Sequence, residues 1–95
     1  MSKAVVACPV EEAIRVIGGK WKLLVLRSLL LNGPQRYNEL LKTVTGISQK
    51  ELTRNLKELT SAGLVTGGYE LTKLGKRLMP TFRTLLTWGT HLQVR

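Results

Sequence analysis

Residues 47–65, Ile47-Ser48-Gln49-Lys50-Glu51-Leu52-Thr53-Arg54-Asn55-Leu56-Lys57-Glu58-Leu59-Thr60-Ser61-Ala62-Gly63-Leu64-Val65, read as one helix with a marked start, a marked stop and unlike faces. Ser48 can cap the N-terminus, and Glu51 three residues on completes a capping-box pattern. Leu52, Leu56 and Leu59 recur at helical spacing and define an apolar stripe. Gly63 supplies a left-handed stop. The other face carries Gln49, Lys50, Thr53, Arg54 and Lys57. Their amide, hydroxyl and cationic groups suit base edges and phosphates. An ordinary amphipathic helix with a solvated polar face shares these features, so the flanking chain decides.

Immediately upstream, Gln35-Arg36-Tyr37 predicts a very short strand, and Asn38 caps a further helix with Leu40, Leu41 and Val44 inward. Thr45-Gly46 then makes a tight turn into the quoted helix. Short helices joined in this way form a helix-turn-helix, the first lying across the DNA backbone and the second in the major groove. Downstream, Leu64-Val65-Thr66 and Tyr69-Glu70-Leu71 flank Gly67-Gly68 and predict a two-residue β-hairpin, the position of a wing.

Further out, Pro9 suits the first turn of a helix in which Val10, Ala13, Ile14 and Ile17 share a face, ended by Gly18-Gly19. Residues 20–31 predict a central helix apolar nearly all round and therefore buried on all sides. Lys20 and Lys22 are expected on its exposed edge, with Trp21 in the core. Asn32-Gly33-Pro34 stops it. Thr72 caps a last helical segment in which Leu74, Leu78, Phe82, Leu85 and Leu92 keep helical spacing, and Pro80 must kink or restart it. Residues 1–7 show no pattern and are expected to be mobile or packed on a partner. The expected fold is mostly α (α+β), one domain over 1–95: a winged helix-turn-helix at 38–62, a short two-stranded wing at 64–71, and a C-terminal helix.

The 95 residues carry a formal charge of +9. Such an excess favours a polyanion, nucleic acid first, with an anionic membrane surface as the competitor; with the helix-turn-helix the expected partner is double-stranded DNA. No apolar run approaches the roughly 20 residues of a membrane span. Lys3 is followed by a short apolar run, Ala4 to Ala7, well under the about 7–15 residues of a signal-peptide core. A single Cys predicts no internal disulfide and a reducing cytoplasm, where a DNA partner would make the protein nucleoid-associated. With His91 the only histidine, no Cys/His metal cluster is expected, and no cofactor. No catalytic motif is present, and Glu11-Glu12 are adjacent and diverge on a helix, so an enzyme is not expected.

The chain resembles the HxlR-type winged helix-turn-helix transcription regulators, relatives of the MarR group. The resemblance is carried by Cys8-Pro9, Ile17-Gly18-Gly19-Lys20-Trp21-Lys22, Gly33-Pro34-Gln35-Arg36-Tyr37-Asn38-Glu39-Leu40, Gly46-Ile47-Ser48-Gln49-Lys50-Glu51-Leu52, Leu56-Lys57-Glu58-Leu59, Gly63-Leu64-Val65, Leu71-Thr72-Lys73-Leu74-Gly75 and Trp88. It implies a homodimeric, sequence-specific DNA-binding regulator, by default a repressor on an inverted-repeat operator. It also implies that the first helix (8–17) and the last (72–93) build the dimer, here through Val10, Ile14, Phe82, Leu85, Trp88 and Leu92. Arg36 would contact phosphate. Ser48, Gln49, Lys50, Thr53 and Arg54 would enter the groove, where Gln can pair with adenine and Arg or Lys with guanine. Lys57, a turn further on, would meet a phosphate. Glu51 is expected to cap, and Glu58 to be salt-bridged or solvated.

Cys8 precedes Pro9 at a helix N-terminus, where the dipole can lower a thiol pKa. The resemblance implies an oxidant or small-molecule effector acting there. The plainer reading is a small, partly buried apolar residue. The family's wing is usually longer, with basic and proline residues at its tip. Here Thr66-Gly67-Gly68 is short and neutral, so the helices are expected to carry the contacts. The readings from other classes are a nonspecific architectural DNA-binding protein and a winged helix used for protein–protein assembly.

Overall fold

The structure, a computed structural model, describes residues 8–94; the segment 1–7, expected to be mobile or packed on a partner, lies outside them. Among the described residues six helices follow one another: α1 (Pro9–Ile17), α2 (Lys22–Asn32), α3 (Tyr37–Thr43), α4 (Gln49–Ser61), α5 (Lys73–Lys76) and α6 (Met79–Gln93). Local chemistry sets several of their ends. Pro9 occupies the first turn of α1. The Ser48 hydroxyl accepts the Glu51 N–H at 3.0 Å to start α4, and the Thr72 hydroxyl accepts the Gly75 N–H at 3.1 Å to start α5. Gly63, at φ 79, lets the Leu64 N–H turn back onto the Leu59 carbonyl at 3.0 Å and end α4.

The core lies among α2, α3 and α4. Val25, Leu26 and Leu29 meet Leu40 and Val44 from α3 and its end, and Leu52, Leu56 and Leu59 from α4; Leu64, Val65 and Leu71 close it from below. No described helix is long and apolar enough to cross a membrane.

Several expectations are corrected. α2 is central but not covered on all sides. Leu31 is 63 % exposed, and Leu23 and Leu24 are half-buried along a groove shared with Leu85 and Leu86 of α6. A chain this short has too few elements to enclose a helix that is apolar all round. Lys20 is exposed and Trp21 packs against the core as expected, though Trp21 is only half-buried, with the Lys20 ammonium 4.6 Å from its ring centroid. Lys22 is not on an open edge: its ammonium reaches Glu58 of α4.

Gln35-Arg36-Tyr37 is not a strand. Tyr37 begins α3, and Arg36, not Asn38, holds the cap position, its N–H donated to the Glu39 carboxylate at 2.7 Å. The buried Gln35 explains this. Its amide donates to the Ser28 hydroxyl at 2.8 Å and accepts from the Thr43 hydroxyl at 2.9 Å, while Ser28 and Thr43 lie 2.7 Å apart. Thr43 has one proton and gives it to Gln35, so Ser28 donates to Thr43 and the ring closes with all three groups satisfied. A strand would draw Gln35 out of that ring.

The two-residue turn is also corrected, and the wing at 64–71 is reduced to a single bridge. Among the described residues there is no strand, only one antiparallel bridge between Val65 and Leu71. The Thr66 N–H donates to the Glu70 carbonyl at 2.8 Å and the Tyr69 N–H to the Thr66 carbonyl at 3.0 Å, giving a Gly67-Gly68-Tyr69 connection with Tyr69 left-handed at φ 61. A two-residue turn would set Val65 opposite the charged Glu70. Adding Tyr69 to the turn sets it opposite Leu71, so both apolar side chains enter the core.

The segment 72–93 restarts as a second helix, as expected from Pro80. It breaks at Arg77-Leu78, and Pro80 falls in the first turn of α6, where its missing N–H leaves no helical bond unmade. Phe82, expected at the dimer interface, is 9 % exposed in the single chain and lines the groove between α2 and α6.

Candidate nucleic-acid interface

α4 is held by its leucines and displays its polar side. Leu52 and Leu59 are completely buried and Leu56 nearly so, while Gln49, Lys50, Thr53, Arg54 and Lys57 are exposed together. The first turn points its free N–H groups outward, which favours anions there. Asn55 is buried and satisfied, its amide donating to the Glu51 carbonyl at 2.7 Å. Ser48 is exposed, and with its oxygen accepting the cap bond its hydroxyl proton remains available.

Only one arm of the expected capping box forms. The Glu51 carboxylate turns away from the helix start to Arg54, at 3.0 Å, and Arg54 also lies 3.5 Å from Glu58. A guanidinium is a stronger partner for a carboxylate than a neutral backbone N–H. These acids, Glu51 first, raise the Arg54 pKa further, so the side chain is a fixed cation. Glu58 is salt-bridged twice over. The hydrogen bond from Lys22, and then the charges of Lys22 and Arg54, hold its carboxyl below the usual range. Arg54 therefore arrives at the exposed face already oriented, whereas Gln49, Lys50 and Lys57 stand outside these ion pairs. Lys57 borders a cavity with Arg15, Lys22, Arg54 and Glu58, on the side of α4 that faces α1.

Arg36 is exposed at the start of α3 and lines a groove with Tyr37, Tyr69 and the Gly67-Gly68 turn. The cation on this side thus comes from α3, since Thr66–Glu70 carries none. Tyr37 joins the two helices of the motif: its hydroxyl donates to the Gln49 carbonyl at 3.0 Å and meets the Thr53 hydroxyl at 2.9 Å. Sequence reasoning missed this contact and the Lys22–Glu58 pair, because neither has a local spacing signal. The Glu51–Arg54–Glu58 pairs do have one, at i+3 and i+4.

Away from α4, the apolar side chains Val10 (65 % exposed), Ile14 (61 %) and Trp88 (59 %) are uncovered, and Leu85 and Leu92 are partly so. Each leaves apolar area in water, Val10 and Ile14 on α1 and Leu85, Trp88 and Leu92 on α6. Cys8 stands at the N-cap of α1, exposed rather than partly buried, which corrects the plainer reading. The Glu11 and Val10 backbone N–H groups lower its thiol pKa.

A profile of the HxlR-like helix-turn-helix family matches residues 16–95. The chain is 41 % identical over 95 residues to an uncharacterised HTH-type transcriptional regulator, YkvN of Bacillus subtilis, covering 90 % of this chain and 80 % of that one. The structure of quinone-bound YodB from B. subtilis superposes with a TM-score of 0.81 at 34 % identity, over 88 % of this chain and 99 % of that one. The redox regulator HypR in its oxidised form superposes with a TM-score of 0.71, also at 34 % identity, over 88 % and 96 %.

Proposed function

The chain belongs to the HxlR-like helix-turn-helix family of transcriptional regulators, and from that premise we propose that it is a sequence-specific repressor acting as a homodimer on an inverted-repeat operator. The observation that carries the reading is α4: a capped, leucine-anchored helix whose Gln49, Lys50, Thr53, Arg54 and Lys57 share one exposed face. In this reading Gln49, Lys50, Thr53 and Arg54, with Ser48 at the cap, face base edges. Arg36 and Lys57 bind phosphate and supply the salt-sensitive affinity. Val10, Ile14, Leu85, Trp88 and Leu92 are covered by a second copy, which sets two recognition helices for two half-sites. Phe82 supports α6 from inside rather than touching the partner. The protein works in the cytoplasm on nucleoid DNA.

We further propose that an oxidant or electrophile acts through Cys8. An exposed thiol with a lowered pKa at the start of α1, the helix that the second copy covers in this reading, is suited to it. The quinone in the YodB structure and the oxidised state of HypR support the choice of effector class.

Selection from random duplex DNA across a salt series tests the main reading. The expected result is enrichment of inverted half-sites about one helical turn apart. Salt-sensitive retention without enrichment would replace it with an architectural role, and no retention at low salt with protein–protein assembly. Repeating the selection after quinone or peroxide treatment, beside Cys8→Ser, tests the effector. A wild-type adduct seen by mass spectrometry with altered retention supports it, and unchanged retention refutes it.

A further inference from the structure

We propose that Tyr37 is a specificity-determining positioning residue: its hydroxyl fixes Thr53 as a hydrogen-bond acceptor toward the DNA. The inference rests on the DNA-binding reading of α4. Tyr37 is the first residue of α3 and half-buried. Its hydroxyl has one proton, and the Gln49 carbonyl, which can only accept, takes it at 3.0 Å. The 2.9 Å contact to Thr53 therefore has Thr53 as the donor. With its own proton spent on Tyr37, the Thr53 hydroxyl presents only lone pairs outward.

The rest of the chain shows that this is an imposed state. Thr60, Thr84, Thr87 and Thr90 each donate back to the carbonyl four residues earlier, the ordinary resort of a helical threonine. For Thr53 that carbonyl is Gln49, and Tyr37 already occupies it. Tyr37 thus displaces Thr53 from the back-bond and holds its oxygen at the exposed first turns of α4. In the major groove the donors available to such an oxygen are the exocyclic amino groups of adenine and cytosine. The guanine and thymine acceptors, and the phosphates, offer it nothing. Thr53 therefore selects adenine or cytosine on the contacted strand, and Tyr37 determines that it does.

The test is selection from random duplex DNA with wild type, Tyr37→Phe, Thr53→Val, Thr53→Ser and the Tyr37→Phe/Thr53→Val double variant. Wild type and Thr53→Ser are expected to prefer adenine or cytosine at one position of each half-site. Tyr37→Phe and Thr53→Val are each expected to lower that preference by about two- to tenfold, the weight of one neutral hydrogen bond. The double variant is expected to lose no more than either single one, and the remaining positions to keep their preferences. An unchanged preference in Tyr37→Phe overturns the inference alone, as does a uniform loss at every position, which marks a merely structural role. A Thr53→Ser variant that loses the preference also overturns it. Wild type that enriches no sequence overturns the DNA-binding reading and the inference with it.

Discussion

The Lys22 ammonium lies 2.5 Å from the Glu58 carboxylate and ties the first residue of α2 to the distal half of α4. Glu58 in turn reaches Arg54, so the orientation of an exposed cation on α4 depends on a residue of another helix, distant in sequence but lining the same cavity.

Replacing Lys22 with methionine is expected to lower the melting temperature at neutral pH. The sign with pH follows from the Glu58 carboxyl, which is held below its ordinary pKa by Lys22 first. A group lowered on folding adds stability above its unfolded pKa and loses it as pH falls through the folded value. The gap between wild type and Lys22→Met should therefore persist at neutral pH and narrow as the pH falls below the ordinary glutamate pKa. Melts followed by circular dichroism check this; a gap that ignores pH would contradict the pairing.

Arg54 and Lys57 are expected to fail differently. Arg54→Ala should relax base preference at one position, by roughly tenfold where a good base contact is lost. Lys57→Ala should weaken binding to every sequence alike and reduce the salt slope by about one. Titrations of operator and unrelated duplex at several salt concentrations separate the effects, and equal behaviour of the variants would remove the assigned roles.

Gly75→Ala is expected to destabilise the protomer by about 1–3 kcal/mol, the usual range for overpacking. A Cβ there would collide with the Leu64 carbonyl, the same carbonyl that accepts the Thr72 N–H beside the wing bridge. Gly67→Ala, with open space around it, should stay within about 0.5 kcal/mol. Urea denaturation of both variants gives the comparison.

The Cys8 thiol is lowered by the Glu11 and Val10 backbone N–H groups, which exist as a pair only while α1 is folded. Its alkylation rate against pH should rise to a plateau earlier in the native protein than in urea. Coincident profiles would show that the helix start does not act on the thiol.

Much of the site was legible because its signals are local. The Ser48 cap, the leucine stripe and Gly63 each act within a turn of where they stand, and α4 follows from them. Pro80 likewise announced a break, though not that α5 would be so short. What escaped was decided by partners distant in sequence. Gln35 reads as part of a strand until Ser28 and Thr43 are placed around it. The wing register turns on whether Leu71 or Glu70 faces Val65, a question of burial that the Gly-Gly pair cannot answer. Glu51 had a claim on both the helix start and Arg54, and the charged partner prevailed.

In the proposed reading the α4 residues that contact DNA and the exposed apolar residues Val10, Ile14 and Trp88 that a second copy covers are different residues, and this division has a genetic consequence. A chain crippled only at Lys50 or Lys57 keeps the means to pair, and a cell making it beside the normal chain would lock functional protomers into inactive hybrids. Such alleles should be dominant negative in a merodiploid reporter strain. Charged replacements at Ile14 or Trp88 should be recessive, because their products cannot capture a normal subunit.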